Sequence, residues 1–95
     1  MKIHYAIIYT PGPNWDHDKP VYEQRLLKHG NYMSELQKAG KMVAGGPFTD
    51  NTGGMTVLQV ESLEEAQNIL DADPGVLNGV FNATIHPWHI VFEAA

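Results

Sequence analysis

The chain has 95 residues, with six Lys and Arg against eleven Asp and Glu, and its formal net charge at pH 7 is −5. This length predicts one domain over residues 1–95, and an acidic surface argues against binding to nucleic acid or to an anionic membrane. There is no Cys, which excludes disulfides and thiolate nucleophiles and suits a cytoplasmic setting, and no apolar run approaches the roughly 20 residues that span a bilayer.

The first predicted element is a strand from Ile3 to Tyr9, rich in β-branched and aromatic side chains. Apolar side chains fall on both of its faces, which indicates a sheet that is covered on two sides. A loop rich in Pro, Gly, Asn and Asp follows from Thr10 to Pro20. Its length is typical of functional loops, and Trp15 in its middle needs an apolar surface to pack against.

The pattern next predicts a helix from Val21 to Ala39, ended by Gly40. At about 100° per residue, His29 lies within the apolar stripe of this helix. The other members of the stripe are Tyr22, Leu26, Met33 and Leu36. Gly30 interrupts the helix at a cost of about 1 kcal/mol relative to Ala, which we interpret as room for a close approach to the backbone beside His29.

The second half of the chain predicts a hairpin, a helix and a final strand. The strands of the hairpin are Lys41–Gly46 and Met55–Glu61, joined by a turn over Phe48–Gly54. Ser62-Leu63-Glu64-Glu65 matches a capping box and predicts a helix that ends near Ala72. The series ends with a short turn or helical piece at Val76–Gly79 and a strand from Phe81 to Phe92. Pro87 is the position at which this strand could be broken.

The order β-α-β-β-α-β is that of the ferredoxin-like fold, an α+β class with two helices on one face of a four-stranded antiparallel sheet. The other sheet face is bare in a single subunit, yet the strands are apolar on both faces. Exposed apolar patches of that size mark interaction surfaces. We therefore expect a homodimer in which two sheets pack face to face.

His29 admits two interpretations. It is either a core histidine bonded to a backbone carbonyl, or a general acid or base, since imidazole titrates near neutral pH. A catalytic imidazole needs a carboxylate or carbonyl on its second nitrogen. The candidate carboxylates are Asp16, Asp18, Asp50, Asp71 and Asp73. Asp73 is the favoured partner, and it is equally suited to cap the turn that Pro74 opens, two roles that are compatible.

The other polar and glycine-rich motifs favour no further chemistry. Asp16-His17-Asp18 and His86-Pro87-Trp88-His89 lack the closed spacing of a zinc site, so we predict no metal. Gly45-Gly46-Pro47 lacks the features of a phosphate loop. The better interpretation is that the glycines let a backbone or a ligand approach the end of the strand. The aromatic residues Trp15, Phe48 and Trp88 are core or interface residues, and any of them could form the wall of an apolar pocket.

Three groups of residues together resemble the YciI-like (YCII-related) family. The first is His29 followed by Leu36, Gly40 and Gly45-Gly46-Pro47. The second and third are Ser62–Ala66 leading into Asp71–Pro74, and Gly79-Val80-Phe81 before the last strand. The resemblance implies a single YciI-like domain over residues 1–95 and a subunit that pairs into a dimeric α+β barrel. It also implies that His29 and Asp73 are the active-site pair, while no single reaction belongs to the whole family.

Two functions remain open at this level. The first is a cofactor-free acid–base enzyme of the isomerase or lyase type, acting on a small organic molecule that bears a carbonyl or hydroxyl group. His29 and Asp73 would be catalytic, and Trp15, Gly46, Pro47 and Phe48 would shape the substrate pocket. The second is a non-catalytic module that binds a small molecule or assists another protein, with a structural His29–Asp73 hydrogen bond. The bare sheet face alone supports a third, purely structural role.

Overall fold

The computed structural model describes residues 3–94. In that range four strands form one sheet, and they are β1 (Ile3–Pro11), β2 (Met42–Pro47), β3 (Gly54–Val60) and β4 (Phe81–Pro87). The same range contains three α-helices, which are α1 (Leu27–Lys38), α2 (Leu63–Asp71) and α3 (Pro74–Leu77). The strand order is β2-β3-β1-β4, and all neighbouring strands are antiparallel. This arrangement confirms the predicted α+β, ferredoxin-like fold.

The core lies between the helices and one side of the sheet, which we call the inner face. Along β1 the side chains of Tyr5, Ile7 and Tyr9 alternate onto this face, and all three are buried. Direct pairing places Leu58 of β3 opposite Tyr5, and both belong to one cluster with apolar residues of α1 and α2. Burial of each such side chain contributes about 1.5–3 kcal/mol, so the inner face fixes how the helices pack on the sheet.

The opposite side of the sheet, the outer face, is also largely apolar at its centre. Ala6 and Ile8 of β1 point to it and are half-buried. The register places Val57 opposite Ala6 and Met55 opposite Ile8 on β3. On β4 the facing residues are more polar, since Thr84 pairs with Ile8 and His86 pairs with Ala6. The expectation of apolar side chains on both sheet faces is therefore met at β1 and β3.

The first predicted helix begins six residues too early. Instead of a helix from Val21, the chain forms one 3₁₀ turn over Val21–Glu23, and α1 begins only at Leu27. The cause is the side chain of Gln24, whose Nε2 donates to the carbonyl oxygens of Asp16 and Lys19 while its Oε1 accepts from the Asp16 N–H. These bonds close the preceding loop and hold Gln24 in an extended conformation. The Tyr22 side chain consequently leaves the predicted stripe and is 84% exposed.

The last predicted strand is too long. It ends at Pro87 rather than at Phe92, because proline has no N–H to continue the ladder, and the Trp88 N–H makes a final bond to the carbonyl oxygen of His4 at 2.9 Å. Elsewhere the boundaries move by at most two residues, and the short piece after Asp73 is the helix α3. No helix within residues 3–94 has the length and apolar character needed to cross a membrane.

The turn before β3 depends on Gly53, which has φ of +140°. A Cβ atom at this position would collide with the carbonyl oxygen of Tyr9. We expect Gly53→Ala to lower the free energy of unfolding by about 2 kcal/mol or more, through both the backbone conformation and the collision. The measurement is chemical denaturation followed by circular dichroism.

Gly46→Ala is the matched control, because no heavy atom lies within 4 Å of a Cβ built at Gly46. We expect its unfolding midpoint to stay close to that of the wild type. Equal losses of unfolding free energy in the two variants would show that the close approach of Tyr9 to Gly53 does not determine the stability of this turn.

Candidate functional site

The imidazole of His29 lies between the inner face of the sheet and the first turns of α1. Its side chain is 16% exposed. Two buried aromatic rings contact it edge-on, Tyr9 of β1 at 5.5 Å and Phe81 of β4 at 5.4 Å between ring centroids. Edge-to-face contacts of this kind favour one ring orientation over others. The sheet therefore determines how the imidazole is held.

Asp73 is the hydrogen-bond partner of His29. The Nδ1 atom of His29 and the Oδ1 atom of Asp73 are 2.7 Å apart, and the Asp73 side chain is fully buried. The same Oδ1 accepts the backbone N–H of Gly75 at 2.9 Å, which makes Asp73 the N-cap of α3. A carboxylate only accepts, so Nδ1 carries the proton and Nε2 is the nitrogen left for a ligand. The structure thus brings together the two residues that were predicted to be a catalytic pair.

No protein atom comes close to Gly30, and within the chain the close approach to His29 is made by Gly75. A Cβ built at Gly75 would lie 3.1 Å from Nδ1 and 3.2 Å from Cγ of His29, whereas one built at Gly30 meets no heavy atom within 4 Å. Gly30 is exposed and lines the same cavity as His29, so room for a ligand beside it stays a prediction. The sequence feature behind this close approach is the triplet Asp73-Pro74-Gly75. Its residues are, in order, the N-cap of α3, the first residue of α3 and the glycine beside His29.

His29 lies on the wall of a cavity of about 870 Å³ between α1, the sheet and the β2–β3 hairpin. Its walls are mainly apolar, and they include Tyr9, Leu26, Met33, Met42 and Phe81. None of the residues that line it, all of them within the described range, is Asp, Glu, Lys or Arg. The cavity therefore has mainly apolar walls, with the imidazole and uncharged polar residues such as Asn31, Ser34 and Gln37 among its lining.

Two of the four predicted pocket residues lie at this cavity and two do not. Gly46 and Pro47 line it, near the end of β2. Trp15 instead belongs to the buried core and packs against Phe81 with ring centroids 5.8 Å apart. The N–H groups of Gly12 and Asn14 bond to the carbonyl oxygens of Val80 and Gly79 and so direct the loop away from the cavity. Phe48 is half-buried and lies outside the cavity lining.

Tyr9 and Thr56 are site residues that the sequence reasoning missed. Both line the cavity, and the Tyr9 hydroxyl donates a hydrogen bond to Oγ1 of Thr56 at 3.2 Å. Burial is the main cause that raises the pKa of Tyr9, and the negative charge of Asp73 adds to it. The phenol therefore stays protonated at any pH the protein normally meets. In the sequence Tyr9 is one of three alternating inner-face residues, so no pattern distinguished it from Tyr5.

Three of the other candidate carboxylates make local hydrogen bonds, and one of them, Asp71, accepts from Nε2 of Gln67 on α2. Asp16 accepts the Asp18 N–H within the long loop, and Asp50 accepts from the N–H of Thr52 in the hairpin turn. Within residues 3–94 no three His, Cys, Asp or Glu side chains converge in a way that would hold a metal ion.

We compared the chain with known protein families and with known proteins. A family model described as the YCII-related domain matches residues 3–89. The uncharacterized protein YjpA of Bacillus subtilis (strain 168) is 37% identical over 68 residues, which is 72% of this chain and 80% of that protein.

Among solved structures, the 5-chloro-2-hydroxyhydroquinone dehydrochlorinase from Burkholderia phenoliruptrix AC1100, in complex with 2,5-dihydroxybenzoquinone, aligns with a TM-score of 0.66 at 20% identity. The alignment covers 92% of this chain and 94% of that one. At this identity the likeness shows a common fold, and it confirms the predicted subunit of the dimeric α+β barrel.

Gly75 and Gly30 offer a matched pair of substitutions at the site. We expect Gly75→Ala to displace the His29 ring by a few tenths of an ångström and to lengthen its bond to Asp73, because the new Cβ faces Nδ1. The free energy of unfolding should change by less than about 1 kcal/mol, since Ala also favours the helix. The proton resonance of the His29 Nδ1–H reports the bond, and thermal denaturation reports stability.

Gly30→Ala should stabilise the protein by up to about 1 kcal/mol and leave that resonance in place, because its Cβ points into open space. If the Nδ1–H resonance of His29 does not move in Gly75→Ala, the missing Cβ at Gly75 does not determine the position of the His29 ring.

Proposed function

This chain belongs to the YCII-related domain family, and on that basis we propose that it is a cofactor-free acid–base enzyme of the lyase or isomerase type. In this proposal Nε2 of His29 takes a proton from a small organic substrate. Asp73 orients the ring and offsets the positive charge that the imidazole acquires. The absence of Cys supports the proposal that the protein functions in a reducing compartment such as the cytoplasm.

The observation that carries the proposal is the His29–Asp73 pair at 2.7 Å on the wall of a cavity. The carboxylate is fully buried while the imidazole is 16% exposed, so only the histidine is accessible to a ligand. A pair sealed beneath other side chains would have favoured the non-catalytic module. An accessible base with an oriented tautomer supports the enzyme instead.

The cavity walls support one class of substrate. Met33, Met42 and Phe81 offer apolar and aromatic surface, and no formal charge lines the cavity. A charged group would lose its hydration there without gaining a counter-charge other than that of a protonated histidine. We infer a compact, mostly apolar ring that presents one hydroxyl or carbonyl group to His29.

The reaction named for the solved relative is of this type. It is named as a dehydrochlorinase of a hydroxylated, chlorinated ring. Dehydrochlorination removes one proton and one chloride ion, so it requires a base but neither an oxidant nor a reductant. A lone His–Asp pair meets that requirement, and we extend the same substrate class, hydroxylated rings and quinones, to this chain.

The test is a panel of hydroxylated and halogenated benzenes and quinones, beginning with 5-chloro-2-hydroxyhydroquinone and chloride release. We expect His29→Ala to lower kcat by about 10²- to 10⁴-fold, the usual contribution of a general base. Asp73→Asn should lower it by about 10- to 100-fold, because it alters the partner that orients the imidazole.

His17→Ala is the control, since His17 lies on the exposed loop away from this cavity. Its activity should equal that of the wild type. If His29→Ala retains full activity, or if it changes only the melting temperature of a protein that binds but never converts these compounds, the non-catalytic module is correct.

We further propose that the active form is a homodimer joined through the outer faces of two sheets. The apolar side chains at the centre of that face support the proposal, since Met55 is exposed and Ala6 and Ile8 are half-buried, while Val57 beside them is already buried. A core as small as this one gains more from covering such a face than a larger domain would.

Ile8→Asp tests the dimer, because it places a charge at the centre of the proposed interface. We expect the wild type to elute as a dimer at micromolar concentration in size-exclusion chromatography with light scattering, and Ile8→Asp to elute as a monomer. Leu77→Asp, at an exposed apolar position on the last turn of α3, should remain dimeric. A monomeric wild type would refute the interface.

A further inference from the structure

The Thr56 hydroxyl is a second polar group on the wall of the cavity that contains His29. Thr56 lines this cavity from β3, and the residue is only 2% exposed. A buried hydroxyl needs protein partners both for its proton and for its lone pairs, because it has lost its water. The strength of those partners decides whether the hydroxyl is free to bind a ligand.

The proton of the Thr56 hydroxyl has a weak partner. The Tyr9 hydroxyl donates to Oγ1 of Thr56 at 3.2 Å, so Thr56 is the acceptor in that bond. Thr56 directs its own proton to the thioether sulfur of Met33, and Oγ1 and Sδ are 3.7 Å apart. A thioether is a weak acceptor, and a hydroxyl or carbonyl oxygen is a stronger one. A ligand oxygen that reaches Oγ1 therefore gains a hydrogen bond, and the protein loses only the weak contact with Met33.

The residue opposite Thr56 on β2 has no side chain. Gly45 pairs directly with Thr56 and lines the same cavity. Directly opposed residues of an antiparallel pair point to the same face of the sheet. A Cβ at Gly45 would lie 3.1 Å from Oγ1 of Thr56 and 3.3 Å from Sδ of Met42, so it would cover the hydroxyl from that side. Glycine at this position keeps the approach to Oγ1 open, a common role of glycine within a strand.

Tyr9 lies in contact with both polar groups of the cavity. Its ring meets the imidazole of His29 edge-on, with 5.5 Å between the ring centroids, and its hydroxyl bonds to Thr56. The imidazole and the Thr56 hydroxyl are therefore separated by no more than one tyrosine side chain. A compact ring with two oxygen substituents has the size to meet both.

We propose that Thr56 determines specificity by donating a hydrogen bond to a second oxygen of the ligand, while the first oxygen faces Nε2 of His29. The ligand class narrows to compact rings with two oxygen substituents, such as dihydroxybenzenes and quinones. A ring with one hydroxyl leaves the Thr56 proton on Met33. That the ligand is an oxygenated ring rests on the proposed function, whereas the weakly bonded proton of Thr56 does not.

Binding of matched ligand pairs tests the proposal without any turnover. Catechol, resorcinol and hydroquinone are each compared with the cresol that carries a methyl group in place of one hydroxyl, because the two have nearly the same size and shape. Isothermal titration calorimetry gives the Kd values. We expect at least one dihydroxybenzene to bind the wild type about 3- to 10-fold more tightly than its cresol, the effect of one hydrogen bond between neutral groups.

Thr56→Val should abolish this preference, because it keeps the shape of the side chain and removes the hydroxyl. It also removes the acceptor of the Tyr9 hydroxyl, so its Tm should fall, and binding is measured well below that temperature. Gly45→Ala is the second variant. It keeps both hydroxyls and covers Oγ1 with a methyl group, so it should also bring the ratio of the two Kd values close to one.

Thr49→Val is the matched control. Thr49 is exposed in the turn between β2 and β3 and lies outside the cavity lining, so the variant should bind both members of each pair as the wild type does. Circular dichroism shows whether each variant is folded. If Thr56→Val does not fold, Gly45→Ala decides by itself, and a preference that it retains overturns the proposal.

Equal Kd values within all three pairs in the wild type would overturn the proposal, and so would a preference that survives in folded Thr56→Val. A preference that depends on Thr56, in a protein that converts none of these rings, would support the hydrogen bond and count against the proposed function. Turnover that depends on His29, combined with equal Kd values within every pair, would support the proposed function and refute the role of Thr56.

Discussion

The buried carboxylate of Asp73 is the interaction on which the site depends. An ionised group without water is tolerated only when donors surround it, and here the donors come from different parts of the chain. Gly75 provides a backbone N–H from the first turn of α3, and His29 provides Nδ1 from α1. One side chain therefore caps a helix, joins two helices and sets the tautomer of the accessible imidazole.

The sheet contributes the aromatic surroundings of this pair. Tyr9 and Phe81 contact the imidazole edge-on, and Trp15 supports Phe81 from behind. All three are buried, so their positions are set by the packing of the inner face and not by the ligand. Such rigid surroundings would suit the proposed base, which must keep one orientation while its other nitrogen exchanges a proton.

The chemistry that the site offers follows from what the cavity contains and from its shape. In the proposed function, the single imidazole with its buried counter-charge would transfer protons, and the apolar walls would exclude water from the reacting group. The ferredoxin-like subunit provides a crevice between helix and sheet in which such a pair is shielded on one side and open on the other.

Several features of this protein were predictable from the sequence alone. The alternation of β1, the capping box at Ser62 and the helix stop at Gly40 are local signals, and they were sufficient for the order of elements and the ferredoxin-like fold. His29 and Asp73 were recognisable as a pair because a titratable ring in an apolar stripe requires a partner, and the family resemblance pointed to the same two residues.

Other features depended on contacts between residues far apart in the chain. Gln24 delays α1 by bonding to a loop up to eight residues earlier, and the backbone bonds of Gly12 and Asn14 turn Trp15 away from the cavity. Tyr9 reaches Thr56 of β3 and Phe81 of β4 only because β1 lies between these two strands, a pairing that its own neighbours in the sequence do not encode. The local pattern determined which elements form and which residue needed a partner. Tertiary packing alone decided which side chains surround His29, because strand pairing and loop closure join residues whose spacing in the sequence carries no periodic signal.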